Sequence, residues 1–284
     1  MGQSLNNIKR RINTINSTRK ITSSMKLVSN VKCRRFMVEE YKQREYSSLL
    51  RKIILDCIKL KKDLPNDELP PLIREKKKTN KRLIILVSST LGLCGGYNSE
   101  LFKFFNDNYK RNDEIIVIGE KARVELSKHD NIKIYTDFLT ILDKYNISKT
   151  RNLVNFITSL YVENDFDEVD IIYHKYINSL VSKVLIEKLL PFSIDNNDST
   201  YSPLHDQDIS SILTYSIKEY LCSVLNDCFL SCLVSEHSAR RNAMDNADKN
   251  AKEIVSKLQL EYNKERQQSI TQEITEVVAG SKNK

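Results

Sequence analysis

ARRNAMDNADKNA, residues 239–251, decides how this chain is read. Alanine recurs at 239, 243, 247 and 251, so on a helix the four methyl groups fall along one narrow stripe. Between them stand Arg240, Arg241, Asn242, Asp245, Asn246, Asp248, Lys249 and Asn250, which leave the rest of that helix polar. Such a helix lets a single partner helix approach closely and faces water elsewhere. That pattern suits a thin two-helix rod better than a thick bundle.

The stripe sits inside an unbroken tract. Glycine occurs only at 2, 92, 95, 96, 119 and 280, and proline only at 65, 70, 71, 191 and 203. Residues 3–64 and 204–279 therefore contain no helix breaker, which permits two helices far longer than the usual three turns. Apolar spacing agrees. Ile8, Ile12 and Ile15 step by four and three, as do Ile21, Met25 and Val28, and again Ile270, Ile274 and Val277. These triplets predict the apolar seam of a helix pair.

The middle of the chain has another rhythm. LIILVSS (83–89), EIIVIG (114–119), NIKIYT (131–136) and VDIIYHKYI (169–177) read as strands. Amphipathic stretches at 99–109, 120–128 and 149–163 alternate with them. That alternation predicts βαβ units and a mostly parallel sheet. Polar, proline-bearing linkers at 61–80 and 191–206 bound it. The expected fold is thus a long antiparallel coiled coil of the N- and C-terminal helices with an inserted Rossmann-like α/β domain. The expected segments are an N-terminal helix at 1–64, the α/β domain at 65–203 and a C-terminal helix at 204–284.

The net charge of +8 is unevenly placed. Residues 1–64 hold 16 basic and 5 acidic side chains, residues 65–203 hold 19 and 20, and residues 204–284 hold 10 and 12. The whole basic excess lies in the first segment, and no acid precedes Glu39. Such a helix can neutralise phosphates or face an acidic protein surface. No aromatic residue is interleaved before Phe36 and no nucleic-acid module is present, so a protein surface is the expected partner and nucleic acid is not.

Chemistry-bearing patterns are sparse. GLCGG (92–96) follows a strand, but Tyr97, Asn98 and Ser99 stand where a phosphate loop needs Gly-Lys-Ser/Thr, and the GxGxxG dinucleotide pattern fails. A tight turn is the expectation. His129, His174, His205 and His237 are scattered, so neither catalytic residues nor a cofactor site is expected. Cys33, Cys57, Cys94, Cys222, Cys228 and Cys232 contain no CxxC pair, and no metal site is expected of them; they read as reduced, buried small hydrophobes. No run approaches a membrane span, and MGQSLNNIKRR lacks the apolar core of a secretory signal.

Three stretches carry a resemblance. IKRRINTINSTRKITSSMKLVSNVK (8–32) resembles the N-terminal helix of F-type ATP synthase gamma subunits, SSTLGLCGGYNSELF (88–102) resembles that family's glycine-rich turn, and residues 233–280 resemble its C-terminal signature. Family membership implies a non-catalytic central shaft of a bacterial rotary ATPase. The helices would stand within a ring of alternating alpha and beta subunits. The α/β domain would point toward an epsilon-type subunit and a proton-translocating rotor ring at the cytoplasmic face of the cell membrane. By position, Met25 and Lys26 match residues near the beta-subunit lever, and Arg266, Gln267, Thr271 and Glu273 match residues that engage a beta-subunit loop higher in the ring.

Two departures matter. Thr90 and Leu91 replace the family's Asp-Arg before GLCGG, and Tyr201-Ser202-Pro203 replaces Tyr-Glu-Pro near the rotor contact. Two other readings follow from the sequence. One is a gamma-like shaft driving a motility or surface machine, and the other is a basic coiled-coil protein that binds nucleic acid.

Overall fold

The computed structural model describes residues 2–59, 72–73, 79–129, 132–143, 145–164, 166–192 and 209–281. The two expected linkers fall largely outside these residues, as does the Tyr201-Ser202-Pro203 triplet. Of the first linker, Leu72 and Ile73 are described and are buried, and the Leu72 carbonyl accepts from Phe192 N–H at 3.2 Å. That stretch is therefore not wholly solvated.

Both breaker-free tracts are helical over their described residues. The first helix, α1, spans Gly2–Lys59, and the last, α5, spans Ile209–Ser281. Between them lie β1 (Arg82–Val87), α2 (Tyr97–Asn108), β2 (Glu114–Ile118), α3 (Glu120–Leu126), β3 (Ile134–Tyr135), α4 (Ile147–Glu163), β4 (Glu168–Tyr176) and β5 (Ser182–Leu190). The chain divides into two compact units, residues 1–30 with 240–284, and residues 31–239.

In the second unit the strands form one sheet in the order β3-β2-β1-β4-β5. The first four are parallel, and β5 is an antiparallel edge paired to β4. β1 and β2 are buried along nearly their whole length because helices cover both faces. Leu101 and Phe105 of α2 with Ala122 and Leu126 of α3 pack on Ile84, Leu86, Ile115 and Val117. On the other face, α4 and α5 pack Leu153, Ile157, Leu225 and Phe229 against Leu83, Ile85, Ile116 and Ile171.

β5 escaped the sequence reading. SKVLIEKLL exposes Lys183, Glu187 and Lys188 and buries only Val184, Leu189 and Leu190, so its pattern is neither alternating nor continuous. An edge strand does not need either. At the foot of β1, Arg82 reaches two buried carboxylates, with Nη2 2.6 Å from Asp113 Oδ2 and Nη1 3.3 Å from Asp170 Oδ2. Gly119, after β2, has φ +91°, and a Cβ there would lie 2.3 Å from the Ser88 carbonyl oxygen, so that turn accepts only glycine.

In the first unit, α1 and α5 pair antiparallel. Arg19 meets Asp248, Lys26 meets Asp245, and Arg241 reaches Asn30. The inward positions of α1 are Ile8, Ile12, Ile15, Arg19, Thr22, Lys26 and Ser29, a steady alternation of four and three. This is the heptad of a left-handed pair. It corrects the seam expected from spacing alone. Ile21 and Val28 are 61% and 56% exposed, because their four–three step is out of phase with the heptad set by Ile8. Ile270, Ile274 and Val277 are exposed as well, so they form no seam with α1. Stepping the observed register outward puts Gly2 roughly opposite residues 265–269, and no described residue lies opposite the last three turns of α5.

Candidate partner-binding site

The site residues named from the sequence lie in two places on the paired helices. Met25 and Lys26 are half-buried on α1, and Lys26 is already engaged. Its Nζ lies 2.5 Å from Asp245 Oδ1, while Lys249 Nζ holds Asp245 Oδ2 at 2.9 Å. A parallel arrangement stands beside it, with Arg19 Nε 3.1 Å from Asp248 Oδ1 and Lys252 Nζ 3.0 Å from Asp248 Oδ2. Lys26, then Lys249, holds the Asp245 carboxyl down at about 2. Lys252 in the first place, and Arg19 after it, lowers Asp248.

These acids were not singled out from the sequence. Their signal was available: once the heptad is phased from Ile8, positions 19, 22, 26 and 29 are all polar, and a polar seam needs charges opposite it. The inward set on α5 mixes Met244, Ala251, Val255, Leu258 and Tyr262 with Asp248. Of the alanine stripe, Ala251 is buried and Ala243 and Ala247 are half-buried, because a repeat of four drifts across a seam that repeats at three and a half.

Arg266, Gln267, Thr271 and Glu273 are all exposed, the first two opposite the described start of α1 and the last two past it. The Thr271 hydroxyl donates to the Gln267 carbonyl at 2.9 Å, so that side chain is tied to its own helix. Asp245 and Arg266 are 21 positions apart, which on a helix is about 30 Å. The structure therefore keeps the two groups as separate surfaces. The outer face of α1 beside Met25 carries exposed Ile21, Leu27 and Val28 next to exposed Lys20.

The glycine-rich turn at 92–96 follows β1, beside the place where such a sheet would take a ligand. In a sheet of this order, ligands enter at the C-terminal ends of the strands where the order reverses, here between β1 and β4. That crevice is filled. Tyr97 is buried and stacks on His174, with ring centroids 3.9 Å apart. His174 Nε2 lies 2.8 Å from the Tyr97 carbonyl oxygen, and burial drives its pKa down to about 4. α5 closes the space, with the Ser231 hydroxyl accepting from Tyr176 N–H at 2.8 Å. Within the turn Gly95 and Leu93 take positive φ, at 60° and 62°. The buried thiols behave as core groups: burial pushes Cys232 up to about 12 and Cys228 up as well. No helix among the described residues is long and apolar enough to cross a membrane.

Comparison with known proteins agrees with this architecture. A family model described as ATP synthase matches residues 4–283. The chain is 34% identical to the ATP synthase gamma chain of Mycoplasma capricolum subsp. capricolum over 282 residues, covering 99% of both chains. It is 34% identical to that of Clostridium perfringens over 283 residues, covering 99% of this chain and 98% of the relative. In fold it is similar to a chain of the Euglena gracilis mitochondrial ATP synthase rotor. The TM-score is 0.66 at 17% identity, over 95% of this chain and 100% of that one. A second Euglena gracilis chain, from the OSCP/F1/c-ring assembly, gives 0.67 at 16% identity, over 98% and 94%.

Proposed function

This chain belongs to the ATP synthase gamma-chain family, the non-catalytic central stalk of the F-type enzyme, and from that premise we propose how its surfaces serve coupling. The paired part of α1 and α5 stands among alpha and beta subunits, and the α/β domain faces an epsilon-type subunit and a membrane rotor ring at the cytoplasmic face of the membrane. Residues 1–64 and 204–284 act as the shaft segments and residues 65–203 as the inserted domain. Met25 and Lys26 with the outward Ile21 and Val28 form the lower ring contact. Arg266, Gln267, Thr271 and Glu273 form the upper one.

One observation carries the reading. Ile270, Ile274 and Val277 repeat at helix spacing, are 47%, 59% and 72% exposed, and lie beyond the reach of α1 along the register. Apolar residues at helical spacing left bare by the intramolecular pair are suited to an intermolecular one. Coupling then works by differential contact. Each face of an asymmetric shaft favours another conformation of the subunit it meets, and turning the shaft moves that preference around the ring.

Affinity purification of the full chain from its own cells tests this. Alpha-type and beta-type ATPase subunits together with a proteolipid ring are expected. The hexamer without the ring would favour the gamma-like shaft of a motility or surface machine, and nucleic acid in place of the hexamer would overturn the assignment.

A further inference from the structure

We propose that Asp227 is a proton-operated clamp between α1 and α5 within residues 31–239: protonated it ties the two helices through Ser47, and ionised it loosens them. Asp227 lies on α5 at a cleft of about 390 Å³ where α1, α5, β4 and β5 meet. Its Oδ2 is 2.5 Å from Ser47 Oγ. Its Oδ1 is sealed from water and has no hydrogen-bond partner.

Each hydrogen finds an acceptor in either form, so the charge decides which form fits. Ser47 Oγ has one hydrogen and three oxygen neighbours: Asp227 Oδ2, Ser223 Oγ at 2.6 Å and the Gln43 carbonyl at 3.1 Å. Gln43 Nε2 donates to Ser223 Oγ at 2.9 Å, so Ser223 points its own hydrogen at Ser47. With Asp227 ionised, the Ser47 hydrogen is drawn to the carboxylate and the charge rests partly on the unpartnered Oδ1. With Asp227 protonated, it donates to Ser47, Ser47 donates to the Gln43 carbonyl, and no charge is left on the unpartnered Oδ1.

The charges around the carboxyl agree. α1 presents Glu40, Arg44 and Arg51, and Arg44 is turned onto Glu40 at 2.7 Å. β4 presents Tyr173 and Lys175, and β5 presents Glu187, which accepts from the Tyr173 hydroxyl at 2.8 Å. α5 itself adds Tyr220 and Cys228. Burial chiefly, with Glu40 and Glu187 against the pull of Ser47 and Arg44, raises Asp227 to about 6. The sign follows. The cost of holding the carboxylate is present above about 6 and is relieved as pH falls from there toward the ordinary 3.8.

Hydrogen exchange of the full chain between pH 7.5 and 5, corrected for the intrinsic rate, reads the clamp. Opening of the helix segments around Ser47 and Asp227 is expected to become about tenfold rarer at the acid end. Asp227→Asn should remove that pH dependence. The same dependence in Asp227→Asn, or none in the unmodified chain, overturns the proposal. If Asp227→Asn does not fold, Ser47→Ala serves. Loss of the hydroxyl removes the tie, so the gain in protection at the acid end should shrink, and a gain as large as in the unmodified chain overturns the proposal equally.

Discussion

Single residues in this chain often carry more than their own packing, and Arg82 is the clearest case. It stands at the first position of the central strand with its side chain 14% exposed, between Asp113 and Asp170 at 2% and 7%. Burial pushes Asp170 up while Arg82 pulls it down, so the carboxylates tolerate burial only with the guanidinium present. Arg82→Met is expected to cost about 3–5 kcal/mol, because it leaves Asp170 buried without its cation and Asp113 with only the Lys110 N–H. Urea unfolding of the full-length variant checks this, and a loss under about 1 kcal/mol would mean that water already shares the site. Lys26 shows the opposite economy. The residue matched to a partner contact is spent on Asp245 within the chain itself. Sequence matching assigns such a residue by its position along the helix alone, and it is blind to what the side chain has already bonded.

At the scale of elements, the helix pair is held differently along its length. Near Ile8, Ile12 and Ile15 the seam is aliphatic, whereas Arg19, Thr22, Lys26 and Ser29 make it polar and ion-paired. Exposed ion pairs contribute little and weaken with salt, so their main effect is on register. Asp245→Lys is therefore expected to lower the melting temperature of the full chain at low salt, with the difference shrinking at high salt. Lys26→Asp combined with Asp245→Lys should restore part of it, since Lys249 still meets a like charge one turn away, as read by circular dichroism. Failure of the double exchange would show that the pair is incidental to register. Acid acts the same way. The contribution of Asp245 is whole above its ordinary 3.8 and is lost as pH falls toward about 2. The sheet tells the same story of environment. β1, β2 and β4 were legible because burial on both faces demands unbroken apolar runs, and β5 was not because an edge strand half open to water needs no such run.

For the whole molecule, stability and coupling should come apart. Removing residues 269–284 takes away the exposed Ile270, Ile274 and Val277 but none of the ion-paired seam. The truncated chain is expected to fold with an unchanged melting temperature. In the assembled complex it should lose coupling between ATP turnover and transport with no catalytic group removed. Full coupling in the truncated complex would count against the part of the upper contact at Thr271 and Glu273. The sequence by itself determined the two long helices, the parallel strands between them and the basic bias of the first helix. Helix breakers, apolar runs and charge counts are local properties that survive without coordinates. Only the tertiary structure decided the phase of the seam, the capture of Lys26 by Asp245 and of Arg82 by Asp113 and Asp170, and the filling of the β1–β4 crevice by Tyr97 and His174. Each of those depends on which residue, far away in the chain, arrives opposite, and a rotation of one helix position exchanges a buried side chain for an exposed one.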